Sequence, residues 1–73
     1  MKKENDKVWE KIGVNIMKYR KSKKLTQEQL AEMCNISRNY YQRIESAASS
    51  CSIDTLMTIA EKLEIPLKDL FEF

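Results

Sequence analysis

The chain has 73 residues, 42% of them hydrophobic, and a formal net charge of +2, which fits one small domain with a single core. It has no apolar run near the roughly 20 residues that cross a bilayer, and no secretory signal pattern, because Met1 to Asp6 is charged and no apolar stretch follows. With no His and two Cys, it offers neither an ordinary zinc site nor a disulfide framework, so we expect a cytoplasmic protein without metal or cofactor.

One Gly, one Pro and no strand-like alternation favour an all-α fold, a compact bundle of five short helices. Helix one is predicted from about Asp6 to Lys23, with Met1 to Asn5 frayed. Its apolar stripe, at helical spacing, is Val8 or Trp9, Ile12, Ile16 and Tyr19. The lysines near its end suit either an anionic partner or a solvated helix terminus.

The stretch from Leu25 to Glu45 predicts two short amphipathic helices joined by a tight turn. Thr26 and Gln29 form a T-x-x-Q capping box, which opens a helix from Gln27 to about Cys34. The apolar positions of this helix are Leu30, Ala31, Met33 and Cys34, and Ala31 is small enough for a close helix crossing. Asn35 tolerates the left-handed conformation that ends a helix.

Ser37 is predicted to cap the second of these helices, which runs to about Glu45 and turns Tyr41 and Ile44 towards the core. This arrangement is a helix-turn-helix, which places its second helix in the major groove of DNA. Two surface helices joined by a loop would explain the apolar stripes equally well. They would not explain why the exposed face of the second helix carries no acid before Glu45.

The exposed face of this second helix carries side chains that suit base edges: Arg38, Asn39, Gln42 and Arg43. Arg reads guanine through O6 and N7, and Asn or Gln pairs with adenine through N6 and N7. A phosphate contact or a plain surface charge is the alternative for either arginine. Charge agrees with DNA binding, since residues 1–45 have a net charge of +5 and residues 46–73 a net charge of −3.

The remaining sequence is predicted to support the helix-turn-helix. Ser46 to Ser50 is small and polar and reads as a loop. Ser52 can cap a fourth helix whose buried face is Leu56, Ile59, Ala60 and Leu63. Pro66 is tolerated at a helix start, so a short last helix follows it. Cys34 is expected in the core and Cys51 in a loop or interface.

Several strings in order carry a family likeness: Leu25-Thr26-Gln27-Glu28-Gln29-Leu30-Ala31, Ser37-Arg38, Arg43-Ile44-Glu45, Ser52-Ile53-Asp54-Thr55-Leu56 and Ile59-Ala60. From roughly Ile12 to Phe71 the chain resembles the phage-repressor/Cro-like helix-turn-helix family, also called the XRE family. Four positions where that family usually has Gly hold other residues, namely Lys24, Asn35, Ala47 and Glu64. A positive φ there would cost on the order of 1 kcal/mol per residue, least at Asn35.

The resemblance implies roles for individual residues. Arg38, Asn39 and Arg43 match positions that touch bases, and Gln42 joins them by residue type. Gln27 matches a phosphate contact that also braces the second helix. Further phosphate candidates follow from residue type and position and not from the resemblance: Ser37, Tyr40, Lys24 and Ser46. Tyr40 suits packing against helix two equally well. Arg20 and Glu45 match an ion pair between helix one and the reading helix.

The sequence thus predicts a small transcriptional regulator that binds double-stranded DNA sequence-specifically, with a size like Cro-like repressors and restriction–modification controller proteins. Two copies would read a pseudo-palindrome. The candidate dimer residues are Leu67, Leu70, Phe71 and Phe73, unless they close the core. The alternative is an antitoxin-like interaction module that uses this C-terminal surface. No enzyme, membrane or small-molecule role is expected, because no nucleophile–base pair or phosphate loop is present.

Overall fold

The computed structural model describes residues 4–73, and side chains from Asp6 onward, as four α-helices followed by a short 3₁₀ helix. The helices are α1 (Glu4–Ser22), α2 (Gln27–Met33), α3 (Arg38–Glu45) and α4 (Ile53–Leu63), and the 3₁₀ helix is Leu67–Phe71. The all-α prediction is confirmed. The expected fraying of Met1 to Asn5 concerns a segment whose first three residues lie outside the described part, while α1 already includes Glu4 and Asn5.

Hydroxyl side chains cap the starts of three helices, as the sequence predicted. Thr26 accepts a hydrogen bond from the Gln29 backbone N–H at 3.0 Å, and the Gln29 side chain accepts one from the Thr26 N–H at 2.8 Å. Ser37 caps α3 and Ser52 caps α4, each by accepting from a backbone N–H three residues later. These bonds satisfy N–H groups that a helix start leaves free, so local sequence sets where α2, α3 and α4 begin.

All four α-helices end in a left-handed residue that is not glycine. These residues are Lys24 (φ 59°), Asn35 (φ 59°), Ala47 (φ 63°) and Glu64 (φ 60°). At the end of α1, for example, the N–H of Leu25 donates to the Arg20 carbonyl at 3.2 Å and that of Lys24 to the Lys21 carbonyl at 2.9 Å. This is the Schellman pattern, and the other three ends repeat it. All four positions therefore adopt the left-handed conformation that favours glycine, although none of them is glycine.

The core lies where α1 crosses α3 and α4, and where α2 packs on α3 and α4. Its fully buried side chains include Ile12, Ile16, Leu30, Tyr41, Ile44, Ile59 and Leu63. Gly13 lies at the crossing of α1 and α3, where an added Cβ would stand 2.3 Å from the backbone oxygen of Glu45. A side chain there would push the two helices apart.

The structure corrects two sequence-based expectations, at the fifth helix and at Met33, and decides one alternative that the sequence left open, between Val8 and Trp9. The fifth helix is a 3₁₀ helix of five residues that begins after Pro66, and its first hydrogen bond has the three-residue spacing of that helix, from the Asp69 N–H to the Pro66 carbonyl. Met33 is exposed at the last position of α2 and does not join the buried stripe. On α1, Val8 is exposed while Trp9 packs against the core. None of the described helices is long and apolar enough to cross a membrane.

Candidate nucleic-acid interface

The two faces of α3 carry different chemistry. Arg38, Asn39, Gln42 and Arg43 are all exposed to solvent. Tyr41 and Ile44, on the opposite face, are completely buried. Since residues three and four apart share a helix face, the four candidate base readers project together from the molecule.

Glu45, at the end of α3, turns inward to a bidentate ion pair. Arg20 of α1 donates from Nε to Oε2 at 2.9 Å and from Nη2 to Oε1 at 3.1 Å, and its Nη1 donates to the Leu25 carbonyl at 2.7 Å. Only 9% of the Arg20 side chain and 5% of the Glu45 side chain remain exposed. A forked pair of this kind fixes orientation as well as charge.

Two neutral donors complete the Glu45 site. The Gln27 amide of α2 donates to Oε1 at 2.9 Å, and the Tyr41 hydroxyl donates to Oε2. One carboxylate therefore connects α1, α2 and α3. The buried polar side-chain atoms of the described residues all have hydrogen-bond partners, so this charged site carries no unpaired group.

These contacts determine the protonation states of Glu45, Arg20 and Tyr41. Burial tends to raise the pKa of Glu45, but the hydrogen bonds from Arg20, Tyr41 and Gln27 outweigh it and hold that pKa below its usual value. The hydrogen bond to Glu45 raises the pKa of Arg20. Burial, followed by the contact with Glu45, raises the pKa of Tyr41. The carboxylate is thus charged, and the phenol neutral, at neutral pH.

The starts of α2 and α3 share one shallow surface depression. Thr26, Gln27, Glu28 and Arg38 line it, with the edge of Arg20. The structure therefore brings a predicted phosphate contact, Gln27, beside a predicted base reader, Arg38. Free N–H groups at a helix start favour an anion such as a phosphate.

The other phosphate candidates differ in availability. Lys24 is exposed in the turn after α1, and the Ser37 hydroxyl accepts from the Tyr40 N–H, which leaves its own O–H as a donor. The Ser46 hydroxyl donates to the Arg43 carbonyl at 3.3 Å, so its O–H already has an acceptor within the protein. Tyr40 is half-buried and packs against the core.

Arg43 has a contact that sequence reasoning did not anticipate. Its Nε donates to the hydroxyl of Ser49 at 3.0 Å. The loop serines looked alike in sequence, and no pattern distinguished Ser49 from its neighbours. Only the path of the loop, which returns over the end of α3, brings the two side chains together.

The four predicted dimer residues do not form one surface. Leu70 is fully buried among the core residues, so it cannot contact a second copy, and that assignment is wrong. Leu67 is half-buried against the core. Phe71 and Phe73 are 40% and 60% exposed, and the Lys11 ammonium lies 5.4 Å from the centre of the Phe73 ring. Asn15 of α1 ties this segment down by donating to the carbonyls of Leu70 and Glu72 at 3.1 Å each.

Two curated relatives are similar to most of this chain. An immunity repressor protein of Bacillus phage phi105 is 44% identical over 54 residues, which is 74% of this chain and 38% of the relative. The antitoxin PezA of Streptococcus pneumoniae is 37% identical over 59 residues, or 81% of this chain and 37% of that protein. The chain thus spans little more than a third of the length of either relative.

Solved structures with similar folds include two regulators. The restriction–modification controller protein C.AhdI of Aeromonas hydrophila superposes with a TM-score of 0.89 at 26% identity, covering 94% of this chain and 100% of that chain. The clp gene regulator ClgR of Corynebacterium glutamicum gives 0.83 at 24% identity, covering 86% and 67%, which shows a shared fold. Residues 16–70 match the HTH_3 helix-turn-helix family, so the chain belongs to that family.

Proposed function

We propose that this protein binds double-stranded DNA sequence-specifically, with α3 in the major groove, and regulates transcription. The observation that carries the proposal is the outward face of α3, where Arg38, Asn39, Gln42 and Arg43 are exposed together. Each is a residue type that reads base edges. The inward face is buried, so the helix can offer these side chains without unfolding.

The proposed phosphate contacts surround this face. Gln27, at the start of α2, would donate to the DNA backbone, with Lys24, Ser37 and Tyr40 as further donors. Ser46 would join them by exchanging its hydrogen bond to the Arg43 carbonyl for one to a phosphate. Contacts to phosphate fix the register of a protein on the duplex, whereas contacts to bases select the sequence. Support comes from the depression that Gln27 and Arg38 share. A cytoplasmic setting, with access to chromosomal DNA, follows from this proposal.

Selection from random duplexes at two salt concentrations tests the proposal directly. We expect an enriched half-site, and an affinity that falls on the order of tenfold or more between about 50 and 200 mM salt. Two half-sites about 34 Å apart would indicate a dimer. Recovery of no preferred sequence at either salt concentration would contradict sequence-specific binding.

A homodimer is part of the proposal, with Phe71 and Phe73 as its remaining surface candidates and Leu67 at their edge. Their exposure supports this assignment. Sedimentation at increasing concentrations should show a dimer that Phe73→Ser weakens. A monomer at tens of micromolar without DNA would count against the dimer and leave base reading untouched.

The similarity to the antitoxin PezA supports a second candidate, in which the same exposed phenylalanines bind a protein partner. Base reading does not require those phenylalanines. If Phe73→Ser leaves both DNA affinity and self-association unchanged, Phe73 is not part of a dimer contact, and a protein partner becomes the better account of this surface.

A further inference from the structure

We propose that Ser49 is a positioning residue that aims the Arg43 guanidinium, so that the loop between α3 and α4 sets the base preference at one position of the DNA site. The proposal rests on the DNA-binding function proposed above. It concerns a residue that neither the family likeness nor the sequence pattern singled out.

The backbone of the loop after α3 is hydrogen-bonded to the backbone carbonyl of Arg43. The carbonyl of Arg43 accepts hydrogen bonds from the N–H of Ala48 at 2.8 Å and from the N–H of Ser49 at 3.1 Å. Ala47 adopts φ 63°, which turns the chain back over the last turn of α3. The backbone of Ser49 is therefore fixed relative to Arg43 before any side-chain contact is considered.

The side-chain contact then fixes the plane of the guanidinium. Nε of Arg43 donates to the Ser49 hydroxyl oxygen at 3.0 Å. Because the guanidinium is planar, holding Nε restricts the direction of the whole group. Nη1 and Nη2 can still donate as a pair, which is how Arg reads the O6 and N7 acceptors of guanine.

A hydroxyl suits this task better than a carboxylate would. Serine orients the guanidinium through one neutral hydrogen bond and leaves its positive charge available to DNA. A carboxylate would form a stronger pair and compete with the base for the same donors. Restricting a long side chain before binding also reduces the entropy lost when the complex forms.

The other three helix ends show that this loop is unusual. There, the residue after the left-handed position is Leu25, Ile36 or Ile65, and each packs against the core. In the loop after α3 the equivalent residue is Ala48, which is exposed. At this position the loop thus lacks the apolar anchor of the others, and Ser49 beside it is bonded to Arg43 instead, so a change at Ser49 acts on that side chain.

The test compares affinities for every single-base variant of the selected site. Ser49→Ala should reduce discrimination about two- to tenfold at the one position where Arg43→Ala abolishes it. Ser49→Thr, which keeps a hydroxyl, should retain discrimination. Ser50→Ala is the matched control, since Ser50 is exposed in the same loop. In the Arg43→Ala background, Ser49→Ala should have no further effect on selectivity.

Three results of this comparison would overturn the inference. Uniformly weaker binding of Ser49→Ala to all sequences would make Ser49 a phosphate contact or a loop support. Unchanged discrimination in Ser49→Ala would show that the Arg43 guanidinium takes up its orientation without the Ser49 hydroxyl. If Arg43→Ala keeps full discrimination at every position of the site, the inference alone is refuted, whereas a wild-type chain without any base preference would refute the proposed function.

A measurement without DNA tests the contact itself. The exchange of the Arg43 Nε–H with water, followed by NMR in the free protein, should be slower in wild type and Ser50→Ala than in Ser49→Ala. Equal exchange in all three would contradict the positioning role, whatever the DNA results.

Discussion

The inward face of α3 is fixed by packing and hydrogen bonds, whereas the side chains on its outward face are exposed to solvent. Inward, Tyr41 and Ile44 are packed in the core and Glu45 is bonded by side chains from α1 and α2 as well as from its own helix. Outward, Arg38 and Gln42 stand in solvent. The comparison shows that the inner face fixes the helix so that the outer side chains can remain available to a ligand.

Glu45→Ala should cause the largest loss of stability. It would leave the buried guanidinium of Arg20 without its partner and remove the acceptor of Tyr41 and Gln27, at a cost of about 3–5 kcal/mol in the free energy of unfolding. Urea unfolding measures the change, and Glu32→Ala, at an exposed position of α2, is the control. If the unfolding midpoint is unchanged while DNA affinity drops, the structural role of the ion pair is wrong.

Gly13→Ala tests the crossing on which the inner face depends. The new methyl would meet the Glu45 carbonyl, so we expect a loss of about 1–3 kcal/mol, although Ala favours helix more than Gly does. Val14→Ala, at a position that is 54% exposed on the same helix, should change stability little. A Gly13→Ala variant as stable as wild type would show that the helices separate without cost.

Low pH should reduce the contribution of the Glu45 carboxylate to the free energy of unfolding. The pKa of Glu45 is lowered in the folded state, so its contribution is complete above the unfolded value of about 4.3 and is lost as pH falls through the folded pKa. The stability gap between wild type and Glu45→Gln should therefore narrow at low pH. Glu64→Gln is the control, because Glu64 is exposed in its pair with Lys23. A gap that stays constant with pH would contradict this prediction.

Ala47→Gly should give the smallest effect, and a stabilising one. Relief of the left-handed strain at Ala47 should outweigh the added entropy of the unfolded chain by a few tenths of a kcal/mol, up to about 1 kcal/mol. Asn35→Gly should gain less, because Asn tolerates this conformation. Ala48→Gly, where φ is not positive, should gain nothing. Equal gains at positions 47 and 48 would exclude strain as the cause.

The sequence predicted what depends on spacing and local capping. Helix starts are predicted correctly at three capping residues, Thr26, Ser37 and Ser52. Apolar periodicity correctly predicts that Ile12, Tyr41 and Leu56 lie in the core. These features need only neighbouring residues. The position of the Arg20–Glu45 contact was expected from the family likeness rather than from spacing.

What the sequence could not give depends on how elements cross. The closest backbone approach occurs at Gly13, a position that periodicity alone left unexplained. Leu70 and Phe71 are adjacent and both apolar, and only the turn of the 3₁₀ helix decides that Leu70 is buried. Ser49 reaches Arg43 because of a loop path that composition does not encode.

The most direct test of the central claim, that the outer face of α3 reads bases, is the affinity of Arg38→Ala for each single-base variant of the selected site. We predict a loss of discrimination of about 1–3 kcal/mol at one position, with the others retained. Gln27→Ala, in comparison, should weaken all sequences about equally. If Arg38→Ala, Asn39→Ala and Arg43→Ala each weaken all sequences equally, or change nothing, α3 does not read the sequence.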